Sequence, residues 1–535
     1  MFNLFCICNK ISKIDSVRKG GILDRPGIFY NKLVGNAGLQ ITGSIVVTLI
    51  NFLSLPYIVS RLGESAFGVY AYTAIIHGYL AFLDLGISTA MIKYVAESHA
   101  RGERERTSLL INTAMWSNLA MGLAGGVLLF AASRWIASVA LHVPDDLLPA
   151  AITVFRIAAV SFLLNMATGI FSSLPAALQK FGLVNLLKII FGVLNVAIMI
   201  GVLYAGCDVV AMMAACTALI LIMVIVYAWL CMRLVEGYRP RAEFDSAEFR
   251  DMFRFGVFTL ANRLNTLLLT QMDRFLIGLF LPIEMLTFFI IPATFAGYIL
   301  KVPLIVLQVL FPLVSEIQSI HENPREALRA IQLRGSKYFT LYVLPLCILT
   351  ATYSRAILTL WVGPEIAAQS SRILQLLAIA YFISSTHYVP STILNGIGKP
   401  QINAYILPVA GVLNLALCLL LIPRYGINGA GYSLLISMSA VIPAFVVWTQ
   451  ARFIGVKLTE YAWQVIIRPL GVGLVTAACF FRFAPRVPSL AGLLLNCAVY
   501  TAIFYTTCIA TGAIDREDRA RITGFIKQNV AKLLP

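Results

Sequence analysis

Charged residues are scarce in this sequence, since Asp, Glu, Lys and Arg make up 12% of its 535 residues. Soluble domains carry roughly 25%. Hydrophobic residues make up 59% of the chain and gather in continuous runs. These runs reach the ~20 apolar residues of a spanning helix and exceed the ~10-residue alternating strands of a membrane barrel. The composition excludes a soluble globular enzyme and predicts an all-α polytopic membrane protein with about fourteen transmembrane helices.

Signatures of metal and nucleotide chemistry are also missing. The chain contains no HExxH, no CxxC and no paired Cys/His cluster, and most of its ten cysteines lie in or beside apolar segments. Segment 396–400 (GIGKP) lacks the upstream glycine and the Ser/Thr of a phosphate-binding loop. Outward loops are short, which disfavours a membrane glycosyltransferase or polymerase. We therefore expect no catalytic residues, no metal and no resident cofactor.

Fourteen apolar segments are candidate spans, and an even number places both termini on one side of the membrane. They lie at about 36–60, 67–90, 109–133, 148–174, 183–206, 209–232, 254–281, 284–314, 338–362, 371–396, 401–422, 429–451, 463–482 and 488–511. Lys and Arg are unequally distributed between the two sets of loops and tails, with 29 on one face and seven on the other. Cytoplasmic loops carry this excess in polytopic proteins. Both termini are therefore predicted to be cytoplasmic, and the net charge of +16 is attributed to loops facing anionic lipid rather than to nucleic acid.

A weak internal repeat has an offset of about 220 residues. Span 1 carries Gln40, Ser44, Thr48 and Asn51, and span 7 carries Asn262, Thr266, Thr270 and Asp273 at the same spacing. At 100° per residue each set forms one polar stripe on an apolar helix. Because each repeat contains six helices, the two halves are predicted to be parallel, and substrate sites in such folds lie between the halves.

The domain organisation follows from the repeat and the charged loops. We expect a cytoplasmic N-terminal arm (1–33), an N-lobe of helices 1–6 (34–232), a cytoplasmic amphipathic linker (233–253), a C-lobe of helices 7–12 (254–453), helices 13 and 14 (454–511) and a cytoplasmic amphipathic tail (512–535). In the linker, Asp245 followed three residues later by Glu248 predicts a capped helix. A second amphipathic helix is predicted to start at Pro324. These segments are predicted to lie at the membrane interface, with solvated loops as the alternative.

Ionisable residues inside spans cost at least ~2.5 kcal/mol each at the bilayer centre, so they usually face a cavity and have a function. In span 7, one arc of about 120° on a continuous helical wheel holds Asn262, Arg263, Thr266, Thr270, Asp273 and Arg274. Lys301 lies between Pro292 and Pro303, which should break or bend span 8. Arg156 lies in span 4. This cationic excess would attract an anion such as a phosphate or diphosphate.

Each of these residues has a structural alternative. Arg274 could pair with Asp273, and Arg156 could extend its charge to the membrane surface. Asp84, at the end of span 2, could cap a helix, pair with Lys93 or couple transport to an ion. Tyrosines such as Tyr72 and Tyr79 could stack on sugars, although packing is the favoured interpretation. Gln40 and Asn51 are candidates for contact with polar head groups or water.

Several motifs resemble the polysaccharide repeat-unit flippases, the O-antigen and exopolysaccharide transporters of the multidrug/oligosaccharidyl-lipid/polysaccharide exporter superfamily. The matching segments are 35–36 (GN), 62–70 (LGESAFGVY), 83–88 (LDLGIS), 272–278 (MDRFLIG), 395–400 (NGIGKP) and 426–430 (GINGA). The resemblance covers about residues 33–453. It implies two six-helix lobes around a central cleft, here with two added C-terminal helices.

The resemblance also implies an activity. A family member would move an undecaprenyl-diphosphate-linked oligosaccharide across the bacterial inner membrane by alternating access, beside membrane lipids, a polysaccharide polymerase and a chain-length regulator. A proton or sodium gradient could drive it through Asp84 or Asp273. Rival functions are a drug/cation antiporter of the same superfamily, which would favour an acidic or aromatic cavity, and a peptidoglycan-precursor flippase. The candidate substrate-binding residues are Arg263, Arg274, Lys301, Arg156, Asn262, Thr266, Thr270, Gln40 and Asn51.

Overall fold

A computed structural model describes residues 26–235, 238, 240–320, 324–483, 489–515 and 518–519. Within these ranges only the backbone is described for 26–42, 258–266, 268–270, 306, 308–309, 319–320 and 483. Residues 1–25 of the predicted cytoplasmic arm and most of the predicted amphipathic tail lie outside the described residues. Across the described part of the chain, all regular secondary structure is helical.

In the residues that the structure describes, nineteen α-helices follow one another, and a few turns of 3₁₀ or π geometry extend them. They are α1 Pro26–Leu62, α2 Glu64–Leu80, α3 Ile87–Ala100, α4 Arg104–Trp135, α5 Leu148–Ala177, α6 Phe181–Tyr204, α7 Val209–Leu234, α8 Ser246–Thr270, α9 Met272–Phe280, α10 Ile283–Ile320, α11 Pro324–Thr352, α12 Ser354–Val362, α13 Pro364–Ser385, α14 Tyr388–Gly396, α15 Pro400–Tyr425, α16 Ile427–Thr449, α17 Leu458–Tyr461, α18 Arg468–Phe483 and α19 Leu490–Ala510. Every candidate span from the sequence has a helical counterpart. The polytopic all-α class is therefore confirmed.

The count of fourteen spans is not confirmed. Within the described ranges, twelve helices are long and apolar enough to cross a membrane. Helices α11 and α12 together make a thirteenth, bent by 76°. The expected span 254–281 is not among them, because it is divided between α8 and α9 by an interruption at Gln271.

Helix starts follow the local chemistry of the sequence. Asp245 caps α8 by accepting hydrogen bonds from the backbone N–H groups of Ala247 (2.7 Å) and Glu248 (2.9 Å), as the capping pattern predicts. Residues 246–253 of the expected linker are consequently the first turns of α8. The helix predicted from Pro324 is confirmed as α11. In contrast, Pro292 and Pro303 do not break α10, which is continuous over 38 residues.

The backbone packing divides the chain into two compact units, Arg25–Phe288 and a second one that contains Phe289–Pro535. In the first unit, α4 packs closely on α5 through glycines. A Cβ on Gly126 would lie 3.1 Å from the carbonyl oxygen of Ala159, and one on Gly125 would lie 2.6 Å from the Phe162 ring. Small residues permit such close approach between membrane helices. Side chains from α3, α4, α5, α7 and α8 then meet in one apolar core.

In the second unit, α18 and α19 pack against α11 around buried Tyr500 and Phe504. An ionic cluster holds the end of this bundle. The Lys337 ammonium donates to Asp518 (2.6 Å) and Asp515 (3.2 Å), and the Tyr338 hydroxyl donates to Asp518. Burial opposes ionisation of Asp515, but the Asp518 N–H and the Lys337 charge outweigh it and hold the pKa of Asp515 below its ordinary value. The cluster fixes the segment after α19 onto α11.

Lys337→Met should destabilise the second unit. The substitution leaves the Asp518 carboxylate, which is 2% exposed, without its counter-charge. Breaking one side of a buried ion pair costs about 3–5 kcal/mol. We expect a lower thermal unfolding midpoint in detergent, whereas Lys457→Met, at an exposed lysine, should leave the midpoint unchanged. Equal midpoints for the two variants would show that the cluster adds nothing to stability.

Candidate substrate and ion site

Span 2 is interrupted near its end. A 3₁₀ turn, Ala81–Asp84, follows α2, and then Leu85 (φ 49°) and Gly86 (φ 74°) adopt left-handed conformations before α3 begins. Positive φ is uncommon for a non-glycine residue such as leucine. Gly256 of α8 packs directly on this elbow, where a Cβ would lie 2.2 Å from the Leu85 carbonyl oxygen. Only glycine fits at that position of α8.

Asp84 lies buried at this elbow, with 5% of its surface exposed. Its Oδ1 accepts hydrogen bonds from Ser88 N (3.2 Å), Ser88 Oγ (2.6 Å) and Asn118 Nδ2 (2.9 Å). The Oδ1 atom of Asn118, which is 1% exposed, has no hydrogen-bond partner. A carboxylate, a hydroxyl and an amide oxygen therefore meet inside the first unit. Oxygen atoms of these kinds bind small hard cations, and a carboxyl group there could also take up a proton.

Span 7 is interrupted at Gln271, which has φ −125° and ψ −19°. The helical wheel drawn from the sequence assumes one continuous helix and places Asp273 and Arg274 beside Thr270. Because this helix ends at Thr270, the predicted positions of Asp273 and Arg274 on the wheel are wrong. Asp273 is 6% exposed, and its Oδ1 accepts the backbone N–H of Arg274 at 2.9 Å. Nε of Arg274 is buried without a hydrogen-bond partner. The first turn of α9 thus holds a carboxylate and a guanidinium with an unused donor.

Aromatic contacts hold α9 against α2 in the first unit. The Phe275 ring lies 6.1 Å from that of Tyr72 and 5.1 Å from that of Tyr79, between ring centroids. The Tyr79 hydroxyl contacts Met272 Sδ at 3.6 Å, and a Cβ on Gly278 would lie 2.3 Å from the Tyr72 ring. These two tyrosines are used in helix packing, which is the favoured sequence interpretation rather than sugar stacking.

Among the remaining predicted residues, those whose side chains the structure describes each contact their own helix or a neighbouring one. Arg156 is exposed, with its guanidinium 5.1 Å from the Phe130 ring centroid. Asn51 is exposed and donates to the Val47 carbonyl of its own helix at 2.7 Å. In the second unit, Lys301 is exposed and lies 5.0 Å from the Tyr298 ring centroid. The side chains of Gln40, Asn262, Arg263, Thr266 and Thr270 lie outside the described residues.

Sequence reasoning finds Asp84 but misses Asn118. Ser88 stands four residues after Asp84, so a contact at helical spacing was available from the motif. Asn118 lies 34 residues away, on α4, and only the packing of α4 beside the elbow brings it to Asp84. No group of three or more His, Cys, Asp or Glu side chains that could hold a metal occurs among the side chains that the structure describes.

Comparison with known families decides the identity. The model of a family described as "Polysaccharide biosynthesis protein" matches residues 58–371, which is more than half of the chain. The chain belongs to this family. The match includes the interrupted spans 2 and 7, and it confirms the resemblance that their motifs carry.

Individual relatives of this chain are distant in sequence, but the matches cover most of both chains. A Shigella flexneri protein that carries the provisional name O-antigen transporter is 24% identical over 408 residues, which is 75% of this chain and 94% of the relative. The solved structure of the lipid II flippase MurJ, inward closed, matches with a TM-score of 0.66 and 12% identity over 86% of this chain and 98% of that one. An inward-facing MATE multidrug transporter matches with a TM-score of 0.63 and 14% identity over 78% and 98%. These two structures show the fold.

Proposed function

We propose that this protein is a flippase that moves undecaprenyl-diphosphate-linked oligosaccharide repeat units across the bacterial inner membrane, for O-antigen or exopolysaccharide assembly. The observation that carries the proposal is Arg274, whose Nε is buried without a partner at the start of a helix in an interrupted span. A buried cationic donor without a protein acceptor fits an oxyanion ligand. A planar guanidinium also matches two phosphate oxygens at once. Membership of a polysaccharide biosynthesis family supports this choice of cargo.

In this proposal the lipid tail stays in the bilayer while the diphosphate and the glycan follow a polar path, and alternating access exposes that path to one side at a time. Arg263 and Lys301 hold the diphosphate, with Arg274 and Arg156 as further contacts. Asn262, Thr266, Thr270, Gln40 and Asn51 contact polar head groups or water. A polysaccharide polymerase and a chain-length regulator are the proposed partners.

Ion coupling is assigned to the elbow of span 2. Asp84 offers a buried carboxylate with a hydroxyl and an unpartnered amide oxygen beside it, so a proton or a sodium ion could occupy the cluster without an added ligand. Asp273 is the alternative, but the positive charge of the adjacent Arg274 opposes the binding of a cation there. A proton or sodium gradient is therefore the proposed energy source, acting through Asp84.

A drug/cation antiporter is the second candidate, since the fold is shared with a MATE multidrug transporter. A cation substrate would need acidic or aromatic groups at the site. Within the candidate spans, however, Arg and Lys outnumber Asp and Glu. The positive charge of Arg274, whose Nε is buried without a hydrogen-bond partner, repels a cation. A membrane polymerase would require acid/base groups on an outer domain, which the short outward loops do not offer.

Complementation of a flippase-deficient strain tests the proposed function. We expect the full chain to restore surface glycan, Arg263→Glu to abolish it and Arg263→Lys to retain part of it, because the positive charge is kept. Protein levels in the membrane must match between variants. A drug-resistance assay runs in parallel. Wild-type glycan with Arg263→Glu would remove this residue from the mechanism, and resistance without glycan would favour the antiporter.

A further inference from the structure

Lys93 of α3 lies between two aromatic rings. Its Nζ is 4.8 Å from the ring centroid of Tyr94 and 4.8 Å from that of Phe255, which belongs to α8. The two rings meet edge to face at 6.2 Å. Ring faces attract a cation electrostatically but do not neutralise it. The rings therefore hold the ammonium in place without supplying a negative charge, and the Lys93 side chain is exposed.

Two neighbouring carboxylates are occupied by other cations. Glu97, four residues further along α3, accepts from Arg101 at 2.6 Å. Glu248, near the start of α8, accepts from Arg106 at 2.7 Å. The backbone carbonyl of Asp251 accepts a hydrogen bond from the Tyr94 hydroxyl at 3.5 Å, and the Asp251 side chain is exposed.

Exposed arginines add to the positive charge of this face. Arg250 and Arg254 are both exposed on α8, one turn apart, and Asp251 is the acidic residue between them. With Lys93, this part of the α3–α8 face carries a net charge of +2 from three cations and one carboxylate. The face is suited to an anion with more than one negative charge.

The position along the helices matches the head-group level of a membrane. At 1.5 Å per residue, Lys93 lies about 10 Å from the Ala100 end of α3, and Arg254 lies about 12 Å from the Ser246 end of α8. The loops at both of these ends are predicted to be cytoplasmic from their Lys and Arg content. Aromatic and basic residues together are typical of this interfacial depth.

We propose that Lys93, held by Tyr94 and Phe255, is a first binding site for the diphosphate of the lipid-linked substrate at the cytoplasmic leaflet. The assignment rests on the proposed flippase function and adds a residue that the sequence suggests only as a partner of Asp84. A compact ammonium with rotatable donors can follow a moving diphosphate, whereas a paired lysine could not. From this position the lipid would pass on to the arginines of span 7.

Binding of undecaprenyl diphosphate to the full chain in phosphatidylcholine nanodiscs tests the proposal. Lys93→Met keeps an aliphatic chain over the two rings but removes the charge, so we expect its Kd to rise about tenfold, or about 1.4 kcal/mol. Lys93→Arg keeps the charge and should bind within about threefold of wild type. Lys180→Met, at an exposed lysine in another predicted cytoplasmic loop, is the matched control and should bind like wild type.

Two further ligands separate the diphosphate from other lipid chemistry. Uncharged undecaprenol and phosphatidylglycerol should bind equally to wild type and Lys93→Met. Equal loss of phosphatidylglycerol binding would overturn the proposal in favour of a general phospholipid contact. Unchanged diphosphate binding by Lys93→Met would overturn the role of Lys93 alone, whereas a wild type that does not bind the diphosphate would overturn the flippase function as well. Equal thermal midpoints for the Lys93 variants verify that folding is intact.

Discussion

Arg274→Glu is expected to abolish surface glycan in a flippase-deficient strain that carries this protein. The substitution places a second negative charge beside Asp273, which is buried with 6% of its surface exposed. It also removes the guanidinium whose Nε has no hydrogen-bond partner. A lipid diphosphate would then meet repulsion where it now meets a donor. Loss of a charge-assisted hydrogen bond in a buried site costs about 1.5–3 kcal/mol, and the repulsion adds to that cost. The readout is surface glycan per unit of membrane-inserted protein.

Two control variants test whether the effect of Arg274→Glu is specific to the guanidinium of this residue. They are Arg274→Lys and Arg134→Ala. Arg274→Lys keeps the charge but loses the planar fork, so partial activity is expected. Arg134 is exposed at the end of α4, and its removal should leave glycan at the wild-type level. If Arg274→Glu inserted normally and exported glycan like Arg134→Ala, the Nε donor would have no part in transport.

Asp84→Asn should uncouple transport from the ion gradient while the protein stays folded. Asparagine can still accept from Ser88 and Asn118, but it carries no charge and takes up no proton. We expect at least a tenfold loss of flipping in proteoliposomes with an imposed proton or sodium gradient, with a smaller effect on flipping without one. A tenfold change corresponds to about 1.4 kcal/mol.

Two other variants serve as controls for Asp84→Asn. Asp84→Ala leaves the donors of Ser88 and Asn118 unsatisfied, so it should also destabilise the first unit by about 2–4 kcal/mol. Asp208→Asn is the neutral control, because Asp208 is an exposed helix cap and asparagine caps equally well. If the Asp84→Asn protein kept its full gradient dependence, the coupling site would have to be sought at Asp273 or elsewhere.

Local chemistry explains which parts of the fold the sequence predicts. The cap at Asp245 and the start of α11 at Pro324 depend on residues within one turn of each other, so their pattern is visible in the chain itself. The long apolar runs specify helices for the same reason, since every backbone group in a bilayer must find its partner within the segment.

The helix interruptions could not be predicted in this way. The wheel for span 7 assumes one continuous helix, and nothing in 270–272 (TQM) contains the glycine or proline that usually signals a break. At span 2, Leu85 tolerates a left-handed conformation because α8 packs on the elbow from a distant part of the sequence. The residues of the candidate ion site follow the same rule, as Asn118 reaches Asp84 only through tertiary packing.

The fit of Gly256 against Leu85 has a mechanical consequence. The α8 backbone touches the elbow so closely that an axial slide or a rotation of α8 must displace the Leu85 carbonyl, and Asp84 stands one residue before it. The helix that leads to Arg274 is therefore in direct contact with the residue that follows Asp84, the carboxylate that could hold an ion. If each end binds its proposed ligand and α8 moves, occupancy at one end would change the free energy of occupancy at the other, and such a linkage is reciprocal. A larger side chain at position 256 would disrupt the contact between α8 and Leu85, and would weaken the linkage between the two sites without altering any charged group.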